Sequence, residues 1–247
     1  MRFVVILALA CLLIAAIFAA DGHAERRLLR ADPDLLPADA LLLRFAVGRG
    51  RPLFMARCAA CHGPAGLGDP ARGVPDLADD DWLYGTGRVS EIEKVVDYGI
   101  RSRNPKALNF VIMPAYARPR PNPADKNISS LSPGEIDDLI EFLLQRQRRQ
   151  ADATAAARGA SLFAGHAGCY DCHSIDAEGD SAIGAPNLVD ATTLYGDGGR
   201  EALHMSIAYG RQGACPAWIR RINAAGIREL ALYVYSISHP GAIPNAH

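Results

Sequence analysis

Two short runs in this 247-residue sequence share one spacing: Cys58-Ala59-Ala60-Cys61-His62 and Cys169-Tyr170-Asp171-Cys172-His173. In C-x-x-C-H the two thiols stand about one helical turn apart, so both can form thioethers to the vinyl groups of a single haem. The adjacent imidazole then reaches the iron from the same side. His62 and His173 are therefore the expected proximal iron ligands, and the expected cofactors are two covalently bound haem c groups. Zinc would need further Cys or His beside each pair, and none is there.

The second motif follows the first at an offset of 111 residues, Cys58 to Cys169, and the match runs on beyond the cysteines. Gly73-Val74-Pro75-Asp76-Leu77 returns as Gly184-Ala185-Pro186-Asn187-Leu188, Leu83-Tyr84-Gly85 as Leu194-Tyr195-Gly196, and Tyr98-Gly99 as Tyr209-Gly210. The first copy then reaches Met113-Pro114-Ala115-Tyr116, and the second reaches Cys215-Pro216-Ala217-Trp218 with nine fewer residues between. Met113 and Cys215 are thus equivalent positions.

A thioether opposite His raises a haem's reduction potential, and Pro114 stiffens the loop presenting Met113, which is the expected sixth ligand in the first copy. Met55, three residues before Cys58, reads as a packing residue. For the second copy three readings compete: Cys215 as a thiolate ligand that lowers the potential, Met205 or His204 as the ligand instead, or Cys215 as an unligated thiol. Arg101 and Arg211 follow the Tyr-Gly pairs, where a guanidinium fork suits either a haem propionate or a surface carboxylate. Trp82, Tyr84, Tyr116, Tyr195 and Trp218 are expected to wall the haem crevices.

The elements that must position these residues read as helices, so the expected fold class is all-α. Ser132, Pro133 and Glu135 form an N-terminal capping signature ahead of the stripe Ile136, Leu139, Ile140, Leu143, Leu144. Ile227, Leu230, Ala231, Val234 and Ile237 repeat the pattern, and Leu53-Phe54 and Leu162-Phe163 suggest a helix before each C-x-x-C-H. No strand-period segment of useful length intervenes. Arg118 to Pro123, with three prolines, reads as an extended loop of the first copy alone.

Residues 1–24 read as a membrane anchor or signal peptide, because Phe3 to Ala20 is an uncharged apolar run of eighteen. The expected units are 41–150 for the first copy and 151–247 for the second. With 26 Lys+Arg against 27 Asp+Glu there is no basic excess for a nucleic-acid partner.

With Gly73-x-Pro-x-Leu, Asp80-Asp81-Trp82-Leu83-Tyr84-Gly85, Gly99-Ile100-Arg101 and Met113-Pro114-Ala115 in order after Cys58-Ala59-Ala60-Cys61-His62-Gly63, the first copy resembles a class I cytochrome c domain. More narrowly, both copies resemble the two domains of the membrane-anchored dihaem subunit III of cbb3-type cytochrome c oxidases, over about residues 46 to 240. Cys215 stands where that family's pattern has Met. The resemblance implies two tandem class I cytochrome c domains after the N-terminal helix. It also implies a role on the periplasmic side of the inner membrane, taking electrons from a quinol-oxidising complex or a small cytochrome and passing them to a terminal oxidase. Such a protein is an electron-transfer subunit rather than a catalyst in itself. The alternatives are a thiosulfate-type dehydrogenase using a Cys-ligated haem, and a free dihaem shuttle.

Overall fold

Helices form where caps and apolar stripes specify them. A computed structural model describes residues 2–117, 130–190 and 192–242, so the proline-rich run Arg118 to Pro123 lies outside the described residues. In chain order the helices are α1 (Arg2–Arg30), a 3-10 turn (Pro33–Ala38), α2 (Ala40–Arg57), α3 (Ala59–His62), α4 (Val89–Tyr98), α5 (Pro133–Arg146), α6 (Ala153–Phe163), α7 (Tyr170–His173), α8 (Arg200–Tyr209) and α9 (Ala224–Ser238). Among the described residues β structure is confined to isolated bridges. The protein is all-α, as expected.

The caps carry the chemistry read from the sequence. Ser132 Oγ accepts from the Glu135 amide at 3.3 Å and the Glu135 carboxylate accepts from the Ser132 amide at 2.8 Å, which closes the capping box of α5. Asp39, Asp152 and Asn223 cap α2, α6 and α9 more simply, each through a side-chain oxygen that accepts from first-turn amides. Helix α1 runs through the apolar N-terminal segment. Among the described residues, no helix is long and apolar enough to cross a membrane.

Two hydrophobic cores follow, and neither is built from one sequence copy. The first joins Leu28 of α1, Leu43 and Phe54 of α2 and Ile92 of α4 to Leu230–Val234 of α9. The second joins Ile136–Leu144 of α5 to Phe163 of α6 and Ile207 of α8. The terminal helix of each copy therefore completes the core of the other. The second core is contiguous in the chain but permuted, its closing helix α5 coming before its opening helix α6. The first is interrupted, with the whole of the second inserted between α4 and α9.

The same helix crossing is used twice. In the first core Gly50 of α2 lies so close to α9 that an added Cβ would fall 2.1 Å from the Glu229 carbonyl oxygen. Arg49 Nε donates to Glu229 Oε1 at 2.6 Å, and Phe54 packs on Tyr233 with ring centroids 5.1 Å apart. In the second core Gly159 of α6 would place a Cβ 2.0 Å from the Asp138 carbonyl oxygen. Arg158 grips the Asp138 carboxylate with bonds of 2.8 and 2.6 Å, and Phe142 packs on Phe163 at 5.1 Å. An Arg-Gly pair and a Phe one turn on thus meet an acid and an aromatic at each crossing.

Gly50→Ala and Gly159→Ala should each destabilise the fold by about 1–3 kcal/mol through overpacking against backbone. Gly48, on α2 with nothing within 4 Å of its virtual Cβ, should instead gain about 0.5–1 kcal/mol as Gly48→Ala. Urea unfolding midpoints of the full chain read both signs.

Candidate haem centres

Each C-x-x-C-H motif sits on a one-turn helix, α3 or α7, that leads from a core helix into a loop. In the first, Nδ1–H of His62 donates to the Pro75 carbonyl at 3.1 Å; in the second, Nδ1–H of His173 donates to the Pro186 carbonyl at 3.0 Å. A carbonyl can only accept, so the proton belongs on Nδ1 and Nε2 keeps its lone pair, the form that binds iron. Burial lowers the pKa of both imidazoles, with the proline carbonyls opposing it, which keeps the rings neutral. The Pro carbonyl partner was not singled out in the sequence. Its signal was present as the proline repeated 13 residues after each histidine.

All eight predicted site residues line one continuous cavity of about 800 Å³: Cys58, Cys61, His62, Met113, Cys169, Cys172, His173 and Cys215. Trp82, Tyr84, Tyr116, Tyr195 and Trp218 wall it, as expected. Burial pushes the Cys58 thiol up to about 12 and the Cys169 thiol to about 11. Conversion to thioethers leaves these sulfurs without charge in a dry pocket. Among the described residues no cluster of His, Cys, Asp or Glu forms a separate metal site.

The pairing of the distal residues is the reverse of that expected from sequence order. Met113 packs against the second core, which Cys169 also borders, and Tyr116, three residues on, donates its hydroxyl to the Ala167 carbonyl at 2.8 Å. Cys215 lies with the first motif: its charge would bear on Cys58, and that of Cys61 on Cys215 itself, whose thiol burial raises to about 11. Arg57, next to Cys58, stacks over the Trp218 ring at 5.9 Å. The physical reason is backbone pairing between the copies. Ile100 and Cys215 exchange two hydrogen bonds of 2.9 Å, and Met113 and Arg211 exchange two of 3.2 Å. At Gly99 (φ 74°) and Gly210 (φ 72°) a Cβ would collide with the carbonyls of Cys215 and Met113, at 2.3 and 2.5 Å. Further pairs obey the same exchange: Gly85 donates to Ser181 at 3.0 Å and Gly196 to Pro70 at 2.9 Å. The two copies face each other as the halves of an isologous dimer would.

Other candidates fall away from the cavity. Helix α8 presents Ala202, Leu203, Ser206 and Ile207 to it, whereas neither His204 nor Met205 lines it. Met55 is exposed on α2 rather than packed in the core. Arg101 and Arg211 both line the cavity, and among the described residues neither forms an ion pair with a carboxylate.

Two cysteine pairs, two oriented imidazoles and an enclosed aromatic cavity define a c-type cytochrome, and the sequence model of the family "Cytochrome c" matches residues 47–147. The chain is 34% identical over 91% of its length to cbb3-type cytochrome c oxidase subunit CcoP of Cereibacter sphaeroides, spanning 72% of that protein. It is 37% identical over 79% of its length to CcoP of Azospirillum brasilense, spanning 63% of it, and 31% identical over 91% to subunit FixP of Sinorhizobium medicae, spanning 72%. The chain belongs to the CcoP/FixP family of cbb3-type cytochrome c oxidase subunits. Its cofactors are covalently bound haem c, two in number.

Cys58→Ala/Cys61→Ala and Cys169→Ala/Cys172→Ala should each leave one haem per chain. Intact mass and pyridine haemochrome content check this; a variant retaining both haems would show attachment elsewhere.

Proposed function

We propose that the chain is the electron-transferring subunit of a cbb3-type oxidase, built from two tandem class I cytochrome c units whose terminal helices are exchanged. In this reading α1 anchors it at the periplasmic face of the inner membrane. A quinol-oxidising complex or a small cytochrome supplies electrons, and the terminal oxidase receives them. The observation that carries the reading is that two C-x-x-C-H motifs, each with its imidazole set by a proline carbonyl, open into one shared cavity. The anchor is supported by the large apolar residues that α1 leaves bare: Ile6, Leu9, Leu12, Leu13 and Phe18 are each more than 60% exposed. The far end of α1 is docked, with Leu28 fully buried and its carbonyl accepting from Arg228 at 2.7 Å.

Haem c bound at such a site supplies a one-electron ferric–ferrous couple. The chain does the rest. Cys58, Cys61, Cys169 and Cys172 would tether the two haems, His62 and His173 would ligate them, and the aromatic walls would keep water from them. Cys215, which lies with the first motif, would serve the haem held by His62, and Met113, which packs against the second core, would serve the haem held by His173. A thiolate lowers and a thioether raises the potential, so two haems held in this way would differ in driving force. The relatives favour this carrier over a thiosulfate-type dehydrogenase.

The single-motif variants test the assignment. With the first motif removed, the haem left on His173 should keep the ferric absorption of methionine ligation and the higher midpoint. With the second removed, the haem on His62 should lack that band and gain it on Cys215→Met. The opposite pattern would restore pairing within each copy. For the partnership, the chain should co-purify from solubilised membranes with a haem-copper oxidase; recovery solely as a free protein would overturn it.

A further inference from the structure

One side chain in the shared cavity reaches both distal loops. Arg101 has φ 46°, a left-handed conformation unusual for a residue with a Cβ, and such strain persists only where surrounding contacts enforce it. Here the enforcing contacts are visible. Its own amide donates to the Leu108 carbonyl at 2.9 Å, which fixes the backbone. Its Nε donates to the Gly213 carbonyl, and its Nη1 donates to the Val111 carbonyl at 3.0 Å and to the Tyr84 hydroxyl at 3.3 Å. Gly213 stands two residues before Cys215, and Val111 stands two residues before Met113. The two carbonyls are therefore the same position in the two copies, held by one guanidinium.

The repeat does not build this twice. At the 111-residue offset Arg101 is matched by Gln212, so no guanidinium stands at that position; the neighbouring Arg211, which matches Ile100, donates to Ser206 Oγ at 3.0 Å and stacks on the Tyr195 ring at 4.1 Å. Both contacts lie within its own copy, and neither reaches a distal loop through its side chain. We propose that Arg101 is a positioning residue shared by both haem sites, its planar fork setting the loop of Cys215 and the loop of Met113 at once. Lysine cannot replace it, because an ammonium on a flexible stem lacks the fixed fork. The proposal rests on Met113 and Cys215 being the sixth ligands.

A hydrogen bond from a charged donor holds its partner by a factor of about ten to a hundred. Loosening a distal loop lets an exogenous ligand compete for the iron, so cyanide titration of the ferric dihaem chain reads the clamp directly. Arg101→Ala should raise the apparent cyanide association constant about tenfold or more at both haems and shift both midpoints. Arg211→Ala should change one haem at most. Arg101→Lys keeps the charge and the stem and is the variant read if Arg101→Ala does not mature; it should leave at least one haem weakened. An effect of either Arg101 variant confined to one haem and fully rescued by Lys, or no effect at either haem, overturns the clamp. The ligand assignment fails separately: wild type would then lack the methionine band, or bind cyanide at both haems with no competition, before any arginine is changed.

Discussion

The six residues 147–152 that join α5 to α6 decide how the rest of the molecule is put together. Fully extended they reach about 20 Å, which keeps the start of α6 near the end of α5. They form an antiparallel helical hairpin, fastened by Arg158 on Asp138 and by the Glu141 carboxylate accepting from the Asp152 amide at 2.7 Å. With α5 taken, α2 has an unfilled apolar face, and α9 is the remaining helix with the matching acid and aromatic. The exchange of distal loops follows, because Met113 leads into α5 and Cys215 leads into α9.

Glycine makes the crossing possible and specific. At Gly50 and Gly159 the partner backbone comes within the space a Cβ would take, so the arginine beside each glycine can reach across to an acid on the other helix. The burial this creates is mixed in character. Burial raises the Glu229 pKa, while the hydrogen bond and charge of Arg49 pull it down. The pair is therefore better read as setting register than as a large source of stability.

Much of this was legible in the residues. The two motifs, the helical fold, the caps of α5, the aromatic walls and all eight cavity-lining site residues follow from spacing and residue type. The pairing of distal residues with histidines was not, because sequence order cannot tell a copy that closes on itself from one that closes on its neighbour. Both arrangements bury the same stripes and satisfy the same caps. What separates them is which helix α5 packs against, and the polar boundary at 147–152 does not reveal that in the sequence. His204 and Met205 show the complementary difficulty: residue type makes them plausible, and only the helical register turns them away from the cavity. The roles of Pro75 and Pro186 lie in main-chain oxygens, which residue identity does not advertise.

The inserted position of the second core has a bearing on biosynthesis. A nascent chain emerges from its N-terminus, and α2, α3 and α4 are made long before α9, whose Glu229 meets Arg49 across 180 residues of sequence. The permuted core needs nothing beyond about residue 211, so it can close first although its attachment motif is translated second. The earlier motif stays open until α9 has been made. That gives the enzymes that attach the porphyrin an extended interval at Cys58 and Cys61, and it makes α9 the last of the described helices to join the first core.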